Sequence, residues 1–127
     1  MKKIRICSKA IGEVTAELYV ERSPKTVEAI RSVLPIKARA NTWGDEIYFS
    51  IGVTVKPENA QEVVEKGELA YWPPGKAFCI FFGPTPASRG DESRAASSVN
   101  VFGRVLGDPA VFTQVRHGDE IIIEKAE

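Results

Sequence analysis

The stretch that most constrains the fold is Ala77-Phe78-Cys79-Ile80-Phe81-Phe82, six apolar residues bounded by Pro73-Pro74-Gly75 and Gly83-Pro84-Thr85-Pro86. A short apolar run between turn signals predicts a strand buried on both faces. Such a strand needs a neighbour on each side and a layer above and below. Pro74-Gly75 suits the central positions of a type II turn, because Pro presets φ and Gly accepts a positive φ. Tyr71 and Trp72 precede this turn, so residues 71–88 read as a hairpin arm feeding a central strand. A second aromatic string, Asn41-Thr42-Trp43-Gly44-Asp45-Glu46-Ile47-Tyr48-Phe49-Ser50, is the obvious companion. The two strings are expected to wall one groove.

With 127 residues, the chain is read as a single domain over 1–127 that can bury one good core. Lys+Arg and Asp+Glu both number 17, so no basic excess points to nucleic acid. No apolar run reaches the roughly 18 residues of a membrane span. Met1-Lys2-Lys3 starts like a signal peptide, but Ile4 to Lys9 is too charged and too short for an apolar core, so a cytoplasmic location is expected. Two cysteines, Cys7 and Cys79, lack metal-binding spacing and only one His is present, so neither metal nor cofactor is expected. Both thiols are expected to pack in strands.

In chain order, residues 3–9 and 13–20 alternate around Gly12 and predict a hairpin with one buried face. Ser23-Pro24 predicts a helix start capped by Ser23, with Val27, Ile30, Val33 and Leu34 as its stripe and Pro35 as its stop. Residues 36–40 and 46–49 read as strands, and 57–65 as one or two helical turns ended by Gly67. Residues 84–98 read as a long polar loop. A strand from Val99 to Leu106 carries Gly103 as a bulge signal. Asp108-Pro109 starts another helix, and Ile121-Ile122-Ile123 reads as a closing strand buried on both sides. About eight short strands with two or three short helices indicate a mainly β, α+β domain.

Candidate chemistry is concentrated in the aromatic strings. Trp43 and Trp72 sit in or beside turns, which favours a rim or pocket position over the core. Asp45 and Glu46 are adjacent and point to opposite faces, so only one can enter a groove; Glu46 shares a face with Tyr48. Ser88, Ser93, Ser97 and Ser98 invite a nucleophile, yet the single His117 lies in a His-Gly-Asp turn after a helix, where it needs no catalytic role. Arg89 and Arg94 flank Asp91-Glu92 and read as solvating their loop. Gly75-Lys76 lacks the phosphate-loop pattern.

Gly12 to Tyr19 followed by Ser23-Pro24-Lys25-Thr26-Val27-Glu28 resembles the first hairpin and helix of cyclophilins, and Val101-Phe102-Gly103-Arg104-Val105 resembles their late strand. The two aromatic strings are similar to those of small prokaryotic cyclophilin-like proteins whose role is unsettled. The resemblance implies a closed eight-stranded antiparallel barrel capped by two short helices. It also shows departures from the prolyl isomerases. Asn41-Thr42-Trp43 stands in the region of their catalytic Arg, with Arg39 only nearby in sequence, and Val99 stands where their His would be. Isomerases stabilise a twisted amide with a donor near the prolyl nitrogen, and that donor has no evident source here.

The reading is a binding protein for a small molecule or extended peptide. Asn41, Trp43, Glu46, Tyr48 and Trp72 would line the groove, with Phe78, Phe81 and the loop contact Arg94. The alternative is a weak prolyl isomerase, or a hydrolase with Glu46 as base. An interaction subunit is a third reading. Neither nucleic acid nor membrane is an expected partner, and self-association stays open.

Overall fold

A computed structural model describes residues 2–126. The chain runs β1 (Lys3–Ser8), β2 (Gly12–Leu18), α1 (Pro24–Ser32), β3 (Ile36–Arg39), β4 (Asn41–Thr42), β5 (Glu46–Ser50), β6 (Gln61–Val64), β7 (Glu68–Trp72), a 3₁₀ turn (Pro73–Gly75), β8 (Ala77–Phe81), β9 (Ser93–Val105), a 3₁₀ helix (Pro109–Gln114) and β10 (Glu120–Lys125). All strand pairs are antiparallel, in the order β3-β10-β1-β2-β9-β7-β8-β5-β4, with β6 paired to β9 off this path.

The expected hydrogen-bonded closure into eight strands is not what forms. Among the described residues there are ten strands, and no ladder joins β3 to β4. These two are consecutive pieces of one extended segment. Residues 36–39 pair with β10, Ala40 exchanges bonds with Gly118 and Asp119 (both 2.8 Å), and residues 41–42 turn to pair with β5. Chain continuity at Ala40, not a ladder, brings the two ends of the sheet together.

Strand β8 behaves as its apolar run predicts, with all five residues buried. Phe78 and Ile80 face the main core with Ile47, Phe49, Leu69 and Phe102. Phe78 stacks on Phe49 and meets Phe102 edge-on, each at 5.2 Å between ring centroids, and a fully buried Phe contributes about 2–3 kcal/mol. Helix α1 adds Val27 and Ile30, and the 3₁₀ helix adds Phe112. On the other face of the sheet Ala77, Cys79 and Phe81 join a smaller cluster with Ala70, Val64, Ala95, Val99 and Val101.

Several local expectations change for identifiable reasons. The Ser23 side chain does not cap α1; its hydroxyl donates to the Val101 carbonyl (2.6 Å). The Glu58 carboxylate caps instead, accepting from Lys25 N, Thr26 N and Thr26 Oγ1 at 3.1, 2.9 and 2.7 Å. At the second helix start the expected cap forms, Asp108 Oδ1 accepting from Ala110 N (2.9 Å). Residues 61–64, expected to be helical, form β6 because the first half of β9 offers them an open edge. That half of β9 begins at Ser93, so the polar stretch 84–98 is a loop only in its first part. The ladder between β7 and β9 slips opposite Phe102, beside Gly103, where a bulge was expected. Ile122 is half-buried, so β10 is not covered on both sides. No helix among the described residues is long and apolar enough to cross a membrane.

Candidate functional site

Antiparallel register brings the two aromatic strings together. In β5 and β8, Glu46 lies opposite Phe81 and Tyr48 opposite Cys79; in β7 and β8, Trp72 lies opposite Ala77. Side chains alternate along each strand, so Glu46, Tyr48, Trp72, Cys79 and Phe81 share the outer face. Trp43 reaches this face through a tight turn, its N–H donating to the Glu46 carbonyl (3.0 Å). Gly44 makes that turn possible. Its φ is +60°, and a Cβ there would meet Thr85 Cα and Pro86 Cδ at 2.8 Å. The turn therefore lies flat on the Pro84–Pro86 segment, tied by Asp45 N to Pro84 O and Phe82 N to Asp45 O, both 2.9 Å.

The result is a cavity of about 270 Å³. Trp43, Tyr48 and Trp72 supply its aromatic walls, Glu46 its polar group, and Ala95, Ala96 and Val99 of β9 the remaining side. Trp72 is held at both ends. Its Nε1 donates to Ser97 Oγ (2.7 Å), and its six-membered ring lies where a Cβ on Gly75 would approach to 2.8 Å. This changes the expected turn. Pro73–Gly75 is a 3₁₀ turn and the left-handed residue is Lys76 (φ +47°), while Gly75 is needed for the close indole.

Glu46 is 6 % exposed, and no cation or backbone N–H approaches its carboxyl among the described residues. Burial pushes its pKa up to about 7 against the opposing effect of a bond from the Cys79 thiol. The thiol has one proton for two acceptors, this carboxyl and the Ala77 carbonyl oxygen at 3.8 Å. Cys79 itself is raised well above the ordinary thiol range, by burial first and by the Glu46 charge second. The contrast is Glu68, also buried at 5 %. That carboxylate accepts from Tyr19 Oη and Glu65 N, each at 2.9 Å, and faces Arg22 Nη1 at 3.6 Å. One buried acid is paired inside the chain; the other opens onto a cavity.

The remaining residues singled out in the sequence lie elsewhere. Asn41 stands on β4 and its Nδ2 donates to the Tyr48 carbonyl (3.1 Å), so it braces the wall without lining the cavity. Phe78 faces the main core and does not line the cavity, because it is out of step with Cys79 by one residue. Phe81 lies in the outer cluster on which the cavity rests. Arg94 is engaged by Glu92 (3.0 Å) and Glu62 (3.7 Å) and does not line the cavity. Glu92 gathers its loop, accepting from Arg89 N, Gly90 N and Arg94 Nε, which holds its carboxyl at about 2. Ala95, Ala96, Val99 and Cys79 are not among the expected groove residues; the signal for the first two is the apolar pair Ala95-Ala96 inside the polar stretch 84–98.

Three of the four serines make structural bonds. Ser88 Oγ donates to Glu92 O, Ser93 Oγ to Gly83 O, and Ser97 receives Trp72; none of these bonds involves His117. A larger hollow of about 860 Å³ lies near the end of β1, with Arg39 and Arg116 on its rim. Charged side chains of both signs, Lys9, Arg39, Arg116, Asp119 and Glu120, stand around it, and it lacks aromatic walls. Nearby, Cys7, Glu13 and Glu124 come within 4.8 Å of one another, but the Arg5 guanidinium already pairs with both carboxylates, at 3.7 and 3.1 Å. A cation is thus already present in that cluster.

The model of the family described as Cyclophilin-like matches residues 2–124. A hypothetical protein from Archaeoglobus fulgidus, known from a solution structure, is 47% identical over 98% of this chain and 95% of its own, with a TM-score of 0.83. A cyclophilin-type peptidyl-prolyl cis-trans isomerase from Cryptosporidium parvum, crystallised with the dipeptide Ala-Pro, superposes with a TM-score of 0.62. It is 15% identical over 98% of this chain and 99% of its own, a likeness of fold. No curated protein matches the chain. The match over nearly the whole sequence makes this chain a member of the cyclophilin-like family.

Proposed function

We propose that this protein is a cytoplasmic ligand-binding module that takes a compact group of a small molecule or of an extended peptide into the cavity over Glu46. The reading rests on one observation. Two indoles, a phenol and a buried carboxyl without a charged partner converge on a single open hollow. Apolar walls with few polar groups are the usual make-up of a binding site.

The same observation favours binding over prolyl isomerisation. No Arg or Lys lines the cavity, and Arg39 donates to the Gly118 carbonyl (3.0 Å) on the rim of the other hollow. A twisted amide held over Glu46 would meet a carboxyl instead of a cation. A second reading has its own support. An acid near 7 is well tuned for proton transfer, so Glu46 could serve as the base of a weak isomerase or a hydrolase. Against it, the adjacent thiol is fully buried and raised, and so is a poor nucleophile.

Both tryptophans of the chain border the cavity, so the ¹⁵N-labelled protein gives two indole N–H signals that report on it. Fragments screened by chemical-shift mapping are expected to move both signals, and Trp43→Ala is expected to weaken them. Hits that bind while leaving both indoles unmoved would overturn the proposal, as would a screen without hits. Proline-isomerisation rates on a model peptide are expected to stay at background; catalysis lost in Glu46→Gln would install the second reading.

A further inference from the structure

We infer that the group this cavity receives is a cation, an ammonium carrying alkyl substituents. The inference rests on the binding role proposed above and names the chemistry of its ligand.

Three features of the cavity converge on it. Its walls are two indoles and a phenol, the ring types whose electron-rich faces attract ammonium groups most strongly. Glu46 is the one carboxyl in its wall, and no Lys, Arg or His lines it. The chain supplies that carboxyl with no positive partner, although it does so for Glu68, the other buried Glu. Around Glu46 the titratable side chains are Cys79 from β8 and Tyr48 from β5; β7 contributes Trp72, and β9 contributes Ala95, Ala96 and Val99. None of these can carry positive charge. A phosphate, a carboxylate or another anion would meet like charge here.

The walls also argue for alkyl substituents on the nitrogen. A bare ammonium sheds a strongly held hydration shell on entry and needs several acceptors to replace it, whereas Glu46 offers one carboxyl. An alkylated ammonium is weakly hydrated, and its methyl groups pack against rings. The aromatic walls are also held in advance. Trp72 is fixed between Ser97 and Gly75, and the Trp43 turn is seated on Pro84–Pro86.

The test compares choline with its uncharged carbon analogue, 3,3-dimethyl-1-butanol, reading the two indole signals at pH 8, where Glu46 is mostly ionised. Choline is expected to bind about tenfold more tightly than the alcohol, and Glu46→Gln is expected to cut that preference by about threefold, the rings keeping the remainder. A short peptide carrying trimethyllysine, run alongside, separates a modified side chain from a free small cation by which of them binds more tightly. If the alcohol binds as well as choline, the cation inference falls and the binding role stands. If choline leaves the indoles unmoved while uncharged fragments shift them, the result is the same. If nothing moves the indoles, both fall.

Discussion

Replacing Glu46 by Gln is expected to make the protein more stable at neutral and alkaline pH and to leave it nearly unchanged in acid. The carboxyl is pushed from 4.5 to about 7 by burial. Between those values the folded chain keeps a proton that the unfolded chain releases, so stability falls as pH rises across that window and levels off above it. By linkage the loss is about 3 kcal/mol when complete. Gln has the same shape and does not titrate. The stability gap between variant and wild type is therefore expected to open from near zero at about pH 4.5 to about 3 kcal/mol at about pH 8, roughly 10 °C in Tm. Urea unfolding of both proteins across that range measures the gap, and every other titrating group cancels in the difference. A gap that is flat with pH, or that closes as pH rises, would refute the claim that the fold buries this charge without a partner.

Three further outcomes follow from the same contacts. Cys79→Ser puts a stronger donor beside Glu46, so the midpoint of that pH-dependent gap is expected to move down by roughly half a unit. Gly75→Ala drives a methyl into the Trp72 ring; the indole N–H signal should shift as its bond to Ser97 breaks, with a stability loss of about 1–2 kcal/mol by thermal unfolding. Glu58→Ala removes the acceptor of the first-turn N–H groups of α1 and is expected to lose about 1–2 kcal/mol. Burial pushes the Glu58 carboxyl up, but the bonds from Thr26 and Lys25 outweigh it and hold it low. Its contribution is thus present above the ordinary carboxyl range and is lost as pH falls, and a wild-type-to-variant difference that does not shrink in acid would count against the cap.

What could be read from the sequence depended on whether a local pattern had one physical outcome. The run Ala77–Phe82 did: six apolar residues between turns must be covered twice, and β8 is. The pairing of Trp43, Glu46, Tyr48 and Trp72 was also accessible, because alternation puts Glu46 with Tyr48 and the strings are short enough to be strand neighbours. Phe78 obeys the same alternation and so leaves the groove. It differs from Cys79 by one position, and one position is the whole difference between the core and the outer face. Residues 57–65 and 84–98 depart from their local pattern for a different reason. Val63 and Val64 form a strand only because Ser93 and Arg94 lie opposite them, a long-range partnership with no local signature. Likewise Ser23 had the right chemistry for a cap, but a buried carbonyl of Val101 needed its hydroxyl, and Glu58 took over the helix. Hydrogen-bond closure of the barrel fails at Ala40, where the chain changes partners from β10 to β5.

The outer cluster explains why a cavity exists at all. A sheet with two apolar faces must be covered on both, and β6 with the first half of β9 covers the outer one. The cover is built of small side chains, Ala95 and Ala96, facing large ones, Trp43, Tyr48 and Trp72, so it bridges without filling. For packing alone, a Leu or Met at position 46 would suit this hollow. It would join Phe81 and Val99 and remove the desolvation that raises the carboxyl. The chain carries a Glu there, at a position where local burial and side-chain chemistry disagree, and such disagreements concentrate at functional sites. Among the described residues the other buried Glu, Glu68, is fully partnered. On the binding role proposed above, the group that relieves Glu46 enters the cavity from outside the chain.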